Sequence, residues 1–282
     1  MAKKTSSQIA SAPSLIGRAG GESAILFGLI GYPLGHSFSR AFFQEKFARE
    51  GIDADYLNFE LPSIEQLPQL LSAHPDLCGL NVTIPYKQAV IPYLDELSDE
   101  ARAIGAVNVI RCTMNEGRKT LKGFNSDIIG FMGSICPLLQ PHHKKALVLG
   151  TGGASKAICH GLEKLGIEWR YVSRNRPVTV PEGSPEGPFT YSDITPALLA
   201  EYTIIVNCTP LGMYPRVDSC PDIPYNALTP RHLLYDVVYN PDITLFMRQG
   251  RRYGAVVKNG LEMLHRQAIA SWEFWNGGRN NK

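Results

Sequence analysis

The sequence predicts an α/β protein built as two consecutive units, and three observations carry that prediction. Strand-like apolar runs alternate with helix-period segments from residue 25 onward. In the second half these runs are continuously apolar, as in a parallel, doubly wound sheet covered on both faces. One of them runs directly into a glycine-rich turn and then a helix. The length of 282 residues fits two domains at roughly 150 residues each. With 44% apolar and 19% charged residues, the chain can bury a core and is not intrinsically disordered. The formal net charge is only +2, and Lys3, Lys4 and Arg18 against Glu22 account for it. No basic field points to nucleic acid or to a membrane surface.

In the first unit, residues 24–30 read as a buried strand stopped by Gly31 and Pro33. Residues 39–50 place Ala41, Phe42, Phe43, Phe47 and Ala48 at helical spacing. Residues 56–59 form a short strand, and 78–84 another, closed by Pro85. Residues 104–111 and 121–124 read as strands around a polar turn at 115–117. The second unit opens with a helix over 128–139, ended before Pro141. A strand at 146–149, a helix at 154–165 stopped by Gly166 and a strand at 169–173 follow. Residues 203–207, 233–237 and 254–257 are further strands, and the Pro/Gly-rich stretch 176–196 is an exposed loop. The last helix, 260–275, presents Leu261, Leu264, Ala268 and Trp272 as one stripe.

No run approaches the 18 or so apolar residues of a membrane-spanning helix. The six cysteines show no CxxC and the seven histidines no paired ligand set, so reduced thiols, no metal and a cytoplasmic location are expected. Residues 1–24 lack periodicity and are expected to be a disordered leader; a transit peptide is the alternative, weakened by the scarcity of arginine.

The strand at 146–149 leads into Gly150-Thr151-Gly152-Gly153-Ala154-Ser155. Glycines here allow a tight turn and close approach of backbone to a pyrophosphate, while the following helix offers free N–H donors and a positive end. Ser155 stands in the slot of the third glycine of the full fingerprint, and a tight turn without a ligand is the alternative. After the next strand comes Ser173-Arg174-Asn175-Arg176, with no carboxylate for a ribose 2′-hydroxyl. Two guanidiniums suit a 2′-phosphate, so NADP is favoured over NAD; two solvated arginines are the alternative.

Four polar segments interrupt the apolar pattern. Ser37 and Ser39 lie between a strand and a helix, where they can cap the helix or hold a small anion. Asn81 and Thr83 share one strand face, and Lys87 follows Pro85 toward it. Asn108 sits inside an apolar run and needs partners, from the protein or from a ligand. Asp127 stands where the two units join, as a helix cap or a functional carboxylate.

Taken together, these segments resemble the shikimate dehydrogenase family. The likeness is carried by Gly31-Tyr32-Pro33 through Ser39, Asn81-Val82-Thr83-Ile84-Pro85-Tyr86-Lys87, Gly105-Ala106-Val107-Asn108 and Gly123-Phe124-Asn125-Ser126-Asp127. It continues through Gly150 to Ala154, Asn207-Cys208-Thr209-Pro210-Leu211-Gly212-Met213, Asp236-Val237-Val238-Tyr239-Asn240-Pro241, and Asn259-Gly260 to Gln267-Ala268. Eight short motifs in family order span about residues 25 to 275. The resemblance implies a substrate-binding domain at 25–126 plus 261–282, a Rossmann-like NADP domain at 127–260, and an active site in the cleft between them. It implies NADPH-dependent reduction of 3-dehydroshikimate to shikimate, a step toward chorismate and the aromatic amino acids, by a monofunctional enzyme, monomeric or homodimeric.

By that likeness Lys87 and Asp127 form the acid/base pair. Ser37, Ser39, Asn81, Thr83, Asn108, Tyr239 and Gln267 line the substrate site. Gly150, Gly152, Gly153, Ala154, Ser173, Arg174, Arg176, Thr209, Met213, Gly260 and Met263 serve the cofactor. The chemistry is coherent on its own terms: hydride reaching a ketone carbon creates alkoxide charge, which an ammonium stabilises and protonates. The chain departs from the family pattern at Arg40, Phe43-Gln44, Val109, Ser126 and Ser173, none of which removes a proposed catalytic group. The alternatives are a quinate/shikimate dehydrogenase using NAD, another small NADP-dependent oxidoreductase of hydroxy acids, and a catalytically silent ligand-binding relative.

Overall fold

A computed structural model describes residues 25–35, 38–174 and 187–277. Ser37, Arg176 and the expected leader at 1–24 lie outside the described residues. The elements in chain order are β1 (Ile25–Gly31), α1 (Phe38–Glu50), β2 (Ala54–Glu60), α2 (Leu67–Ala73), β3 (Leu77–Val82), β4 (Glu96–Leu97), α3 (Asp99–Ile104), β5 (Val109–Asn115) and β6 (Arg118–Phe124). They continue with α4 (Asp127–Ile135), β7 (Lys145–Leu149), α5 (Gly153–Lys164), β8 (Glu168–Ser173), β9 (Phe189–Thr190), α6 (Pro196–Glu201), β10 (Ile204–Asn207), β11 (Leu233–Asp236), α7 (Leu245–Arg252), β12 (Val256–Lys258) and α8 (Leu261–Trp275).

Two six-stranded sheets result. The first has the order β2-β1-β3-β5-β6-β4 and is mixed, with β5 antiparallel to β3 and β6. The second has the order β12-β11-β10-β7-β8-β9 and is parallel throughout. Apolar clusters cover both of its faces, one carrying α4 and α5 residues such as Phe131 and Ile158, the other Leu199 and Phe246 of α6 and α7. This is why β7 and β10 read as unbroken apolar runs. Strand order reverses between β7 and β10, and a crevice opens at the carboxyl ends of the strands at such a point.

Helix α8 runs from the second sheet back to the first. Near its start Met263 packs against α4, where a Cβ on Gly130 would run into the Met263 carbonyl. At its end Trp275 stacks on Phe27 at 4.6 Å and donates to the Ile110 carbonyl.

The structure departs from several sequence expectations. Ile104 closes helix α3 rather than opening a strand, because Ser98 caps Ala101 N–H and Gly105 takes φ 67 at the other end. The 78–84 strand stops at Val82, and Thr83 begins a turn in which Tyr86 N–H donates to the Thr83 carbonyl. The 128–139 helix yields at Ile135 to a 3₁₀ turn containing Pro137, which has no N–H to continue the ladder. Within the described part of the 176–196 loop, β9 pairs with β8, and Ile194 is buried. The buried stripe of α8 is Met263, Ala268, Ala270, Ser271 and Trp275, while Leu261 is exposed. That stripe faces two partners, α4 and the first sheet, which a single-face pattern cannot describe.

Candidate active site

Lys87 and Asp127 come from elements 40 residues apart, and the Lys87 ammonium donates to Asp127 Oδ2 at 2.6 Å. Asp127 is the first residue of α4 and is 1% exposed. It is not the cap: Ser126 precedes the helix, and Asn125 Oδ1 receives the Ile128 N–H at 3.4 Å. A buried carboxylate needs a cation and donors, and here Asn108 supplies the second donor, Nδ2 to Asp127 Oδ1 at 2.9 Å. The Lys87 backbone is held by Val107 N–H donating to its carbonyl at 2.7 Å.

Asn108 is the crossing point of this region. Its Oδ1 accepts Ser126 N–H at 2.7 Å, and its Nδ2 also reaches Ser126 Oγ at 3.0 Å and Gln267 Oε1 at 3.1 Å. Asn81 on β3 accepts the Tyr56 hydroxyl at 2.9 Å and donates to Ser271 Oγ at 2.9 Å. Burial pushes the Tyr56 hydroxyl up, and a hydrogen bond with Ser39 of α1 works against that rise. Thr83 is half-buried, at the turn that follows β3. Tyr239 is half-buried, edge-on to Phe38 with ring centroids 6.1 Å apart, so the loop after β11 reaches the start of α1.

On the other side, Gly150 follows β7 with φ 99, a conformation that suits glycine, and a Cβ there would sit 3.1 Å from Thr209 Cγ2. Gly152 caps α5, and a Cβ on it would meet nothing within 4 Å, so its backbone is open to a ligand. Gly153 and Ala154 start the helix, and a Cβ on Gly153 would lie 3.2 Å from Lys87 Cβ. The glycine turn therefore abuts the lysine. Thr209 donates to Asn207 Oδ1 through both N–H and hydroxyl, at 3.0 and 2.6 Å. Ser173 ends β8, and Arg174 follows it, exposed. Burial pushes the Tyr191 hydroxyl up, and the nearby Arg174 guanidinium opposes that shift. Met213 is 46% exposed, whereas Met263 is 3% exposed inside the core of the second sheet. Gly260 caps α8 where a Cβ would collide with the Val237 carbonyl.

Sequence reasoning missed Tyr56, Ser271 and the framework role of Asp236. Asp236 is wholly buried at the end of β11 and accepts from Asn207 Nδ2 at 2.9 Å, Val238 N–H at 3.0 Å and Thr244 Oγ1 at 2.6 Å. Burial pushes its carboxyl up to about 6, against the pull of those three bonds. A signal for it exists in the sequence, a lone acid ending an apolar strand. Tyr56 and Ser271 carry no local signal, because their partner Asn81 lies 25 and 190 residues away.

A parallel sheet with a glycine turn at its switch point, abutting a lysine–aspartate couple formed by the turn region after β3 and the first residue of α4, defines a nucleotide-dependent oxidoreductase of two-sheet α/β architecture. The model of the shikimate dehydrogenase substrate-binding domain matches residues 29–110. A shikimate dehydrogenase (NADP(+)) of Desulforamulus reducens is 35% identical over 264 residues, covering 89% of each chain. The solved chorismate mutase/shikimate 5-dehydrogenase fusion protein of Clostridium acetobutylicum superposes with a TM-score of 0.79 at 34% identity, over 93% of this chain and 94% of that one. The shikimate 5-dehydrogenase of Thermus thermophilus, solved with NADP(H) and shikimate, gives 0.76 at 30% identity, over 90% and 94%. The chain belongs to the shikimate dehydrogenase family.

Proposed function

We propose that this protein catalyses the reversible NADPH-dependent reduction of 3-dehydroshikimate to shikimate. The observation that carries the reading is the Lys87–Asp127 pair at 2.6 Å, with the lysine stem against Gly153 at the head of α5. A proton donor and a nucleotide cradle in contact are what ketone reduction by a dissociable hydride carrier requires.

In this reading residues 25–126 with 261–282 hold the substrate, and 127–260 hold the nucleotide. The turn at Gly150, Gly152, Gly153 and Ala154 fits a pyrophosphate, since Gly152 presents open backbone at a helix N-terminus. Arg174 and Arg176 take the 2′-phosphate, next to Ser173 in the sequence; Thr209, Met213 and Gly260 frame the nicotinamide side, while the buried Met263 supports that wall from within the core. When bound, the nicotinamide supplies or accepts the hydride. Lys87 Nζ stabilises the alkoxide that develops at the carbonyl oxygen and delivers its proton, while Asp127 holds the ammonium in position. Ser37 and Ser39 take the substrate carboxylate. Asn81, Thr83, Asn108, Tyr239 and Gln267 contact its hydroxyls.

The test is NADPH formation from shikimate and NADP by the purified protein, with quinate and NAD run in every combination. Turnover confined to shikimate with NADP is expected. Preference for quinate or NAD moves the protein to the broader quinate/shikimate relatives, and a folded protein without turnover on any pair overturns the assignment.

A further inference from the structure

Ser271 is buried at 1% exposure on α8, one turn beyond Gln267, and no step of the proposed reaction uses it. Its hydroxyl has one proton, and that proton goes to the Gln267 carbonyl at 2.8 Å. Ser271 Oγ is therefore an acceptor toward its other neighbours. Asn81 Nδ2 donates to it at 2.9 Å, and Ser126 Oγ lies 3.3 Å away.

The same accounting extends to the groups beyond. Asn81 Nδ2 directs its second proton at the Asn108 carbonyl at 3.3 Å, and Asn81 Oδ1 takes the Tyr56 hydroxyl. Flipping Asn81 would set its Oδ1 against the Asn108 carbonyl, acceptor against acceptor. Ser126 Oγ has its proton for Ser271 Oγ or for Asn108 Oδ1, each 3.3 Å away, and in either case accepts from Asn108 Nδ2 at 3.0 Å. Asn108 then directs its remaining proton at Asp127 Oδ1 and Gln267 Oε1. One continuous chain of hydrogen bonds thus joins Tyr56, at one end of the candidate site, to Asp127 and Lys87 at the other.

We propose that Ser271 is a positioning residue that couples these two ends: as the acceptor of Asn81 and the partner of Ser126 Oγ, it acts alongside the Ser126 N–H that orients the Asn108 amide and so steadies Asn81, Asn108 and the Asp127–Lys87 pair. The kinetic part of this rests on the shikimate reading of the site; the orientation part does not.

The experiment uses the full-length protein and Ser271→Ala, with Ser134→Ala as control. Ser134 is also a buried helical hydroxyl, but it bonds the Tyr235 hydroxyl at 2.6 Å in the core of the second sheet. The side-chain NH₂ resonances of Asn81 and Asn108, assigned through their Ala variants, are recorded on substrate-free ¹⁵N-labelled protein. In Ser271→Ala both pairs are expected to shift; in Ser134→Ala neither. Steady-state kinetics should show kcat/KM for shikimate down about tenfold, with KM for NADP within about twofold. Tyr56→Phe, which deletes the opposite anchor of Asn81 with little change of shape, should also move both pairs. Unmoved Asn108 resonances in Ser271→Ala overturn the proposal, as does a kinetic loss that Ser134→Ala reproduces. A wild-type protein with no turnover on shikimate overturns the functional reading instead, and the resonances still decide the orientation claim.

Discussion

Around Lys87 the site is made of side chains; around Gly150 it is made of backbone. Asn81, Asn108, Ser126, Asp127 and Ser271 are each 9% exposed or less, and every one is hydrogen-bonded to another of the group. The turn from Gly150 to Gly153 contributes almost no side chain, and its properties come from positive φ at Gly150 and open space at Gly152. The difference follows from what each region binds. A small polyhydroxylated ring is distinguished by directed donors and acceptors, which must be held rigid by neighbours. A pyrophosphate needs only converging N–H groups and room to approach, so the chain removes side chains there. Side-chain truncation should therefore damage the first region, and side-chain addition the second.

The largest effect tests the first half of that contrast. Lys87→Ala is expected to lower kcat by about 10²–10⁴-fold while NADP binding, read by fluorescence titration, survives. Near-normal turnover would remove the lysine from the chemistry.

Next comes the buried acid that the nucleotide half does contain. Asp236 has its carboxyl pushed up to about 6, from 3.8. The folded state holds this proton more tightly than the unfolded chain, so the contribution is fully present below about pH 4 and lost as pH rises through 6. Asp236→Asn cannot titrate. Denaturant unfolding should show the wild type gaining on that variant by about 2 kcal/mol between pH 8 and pH 4. A difference that stays flat would mean the carboxyl titrates as it does in water.

The glycine turn gives a matched pair. Gly150→Ala forces a β-carbon onto φ 99 and should cost about 1–3 kcal/mol of stability, read as a lower Tm. Gly152→Ala meets nothing within 4 Å, so Tm should hold while KM for NADP rises. If both variants lower Tm equally, the turn is structural only. The smallest effect is at the rim: Arg174→Ala should weaken NADP about tenfold and leave NAD nearly unchanged, and equal weakening would remove the 2′-phosphate role.

Legibility in the sequence depends on contact range. β7, the glycine turn and α5 form one contiguous stretch, and each step has its own local signal: an aliphatic run, glycines, a helix stop at Gly166. Asn108 and Asp127 stand out because polar groups in apolar surroundings demand partners. Which partners they have is not legible. Asn108 meets Gln267 across 159 residues, and Asn81 meets Ser271 across 190. Helix α3 gives no periodic signal, because its six residues are too few to show a period, and only its caps identify it.

The alternation of elements, the two-unit order, the glycine turn at a strand end and the residue types able to move a proton or hold a phosphate are local quantities. Side-chain periodicity and backbone propensity set them, and a window of neighbouring residues contains them. Other facts belong to the folded chain alone: Lys87 touches both Asp127 and the head of α5, Met263 sits in a core, and Ser271 joins two asparagines. They depend on how α8 returns from the second sheet to pack Trp275 on the first, a burial of apolar surface between segments far apart in the chain.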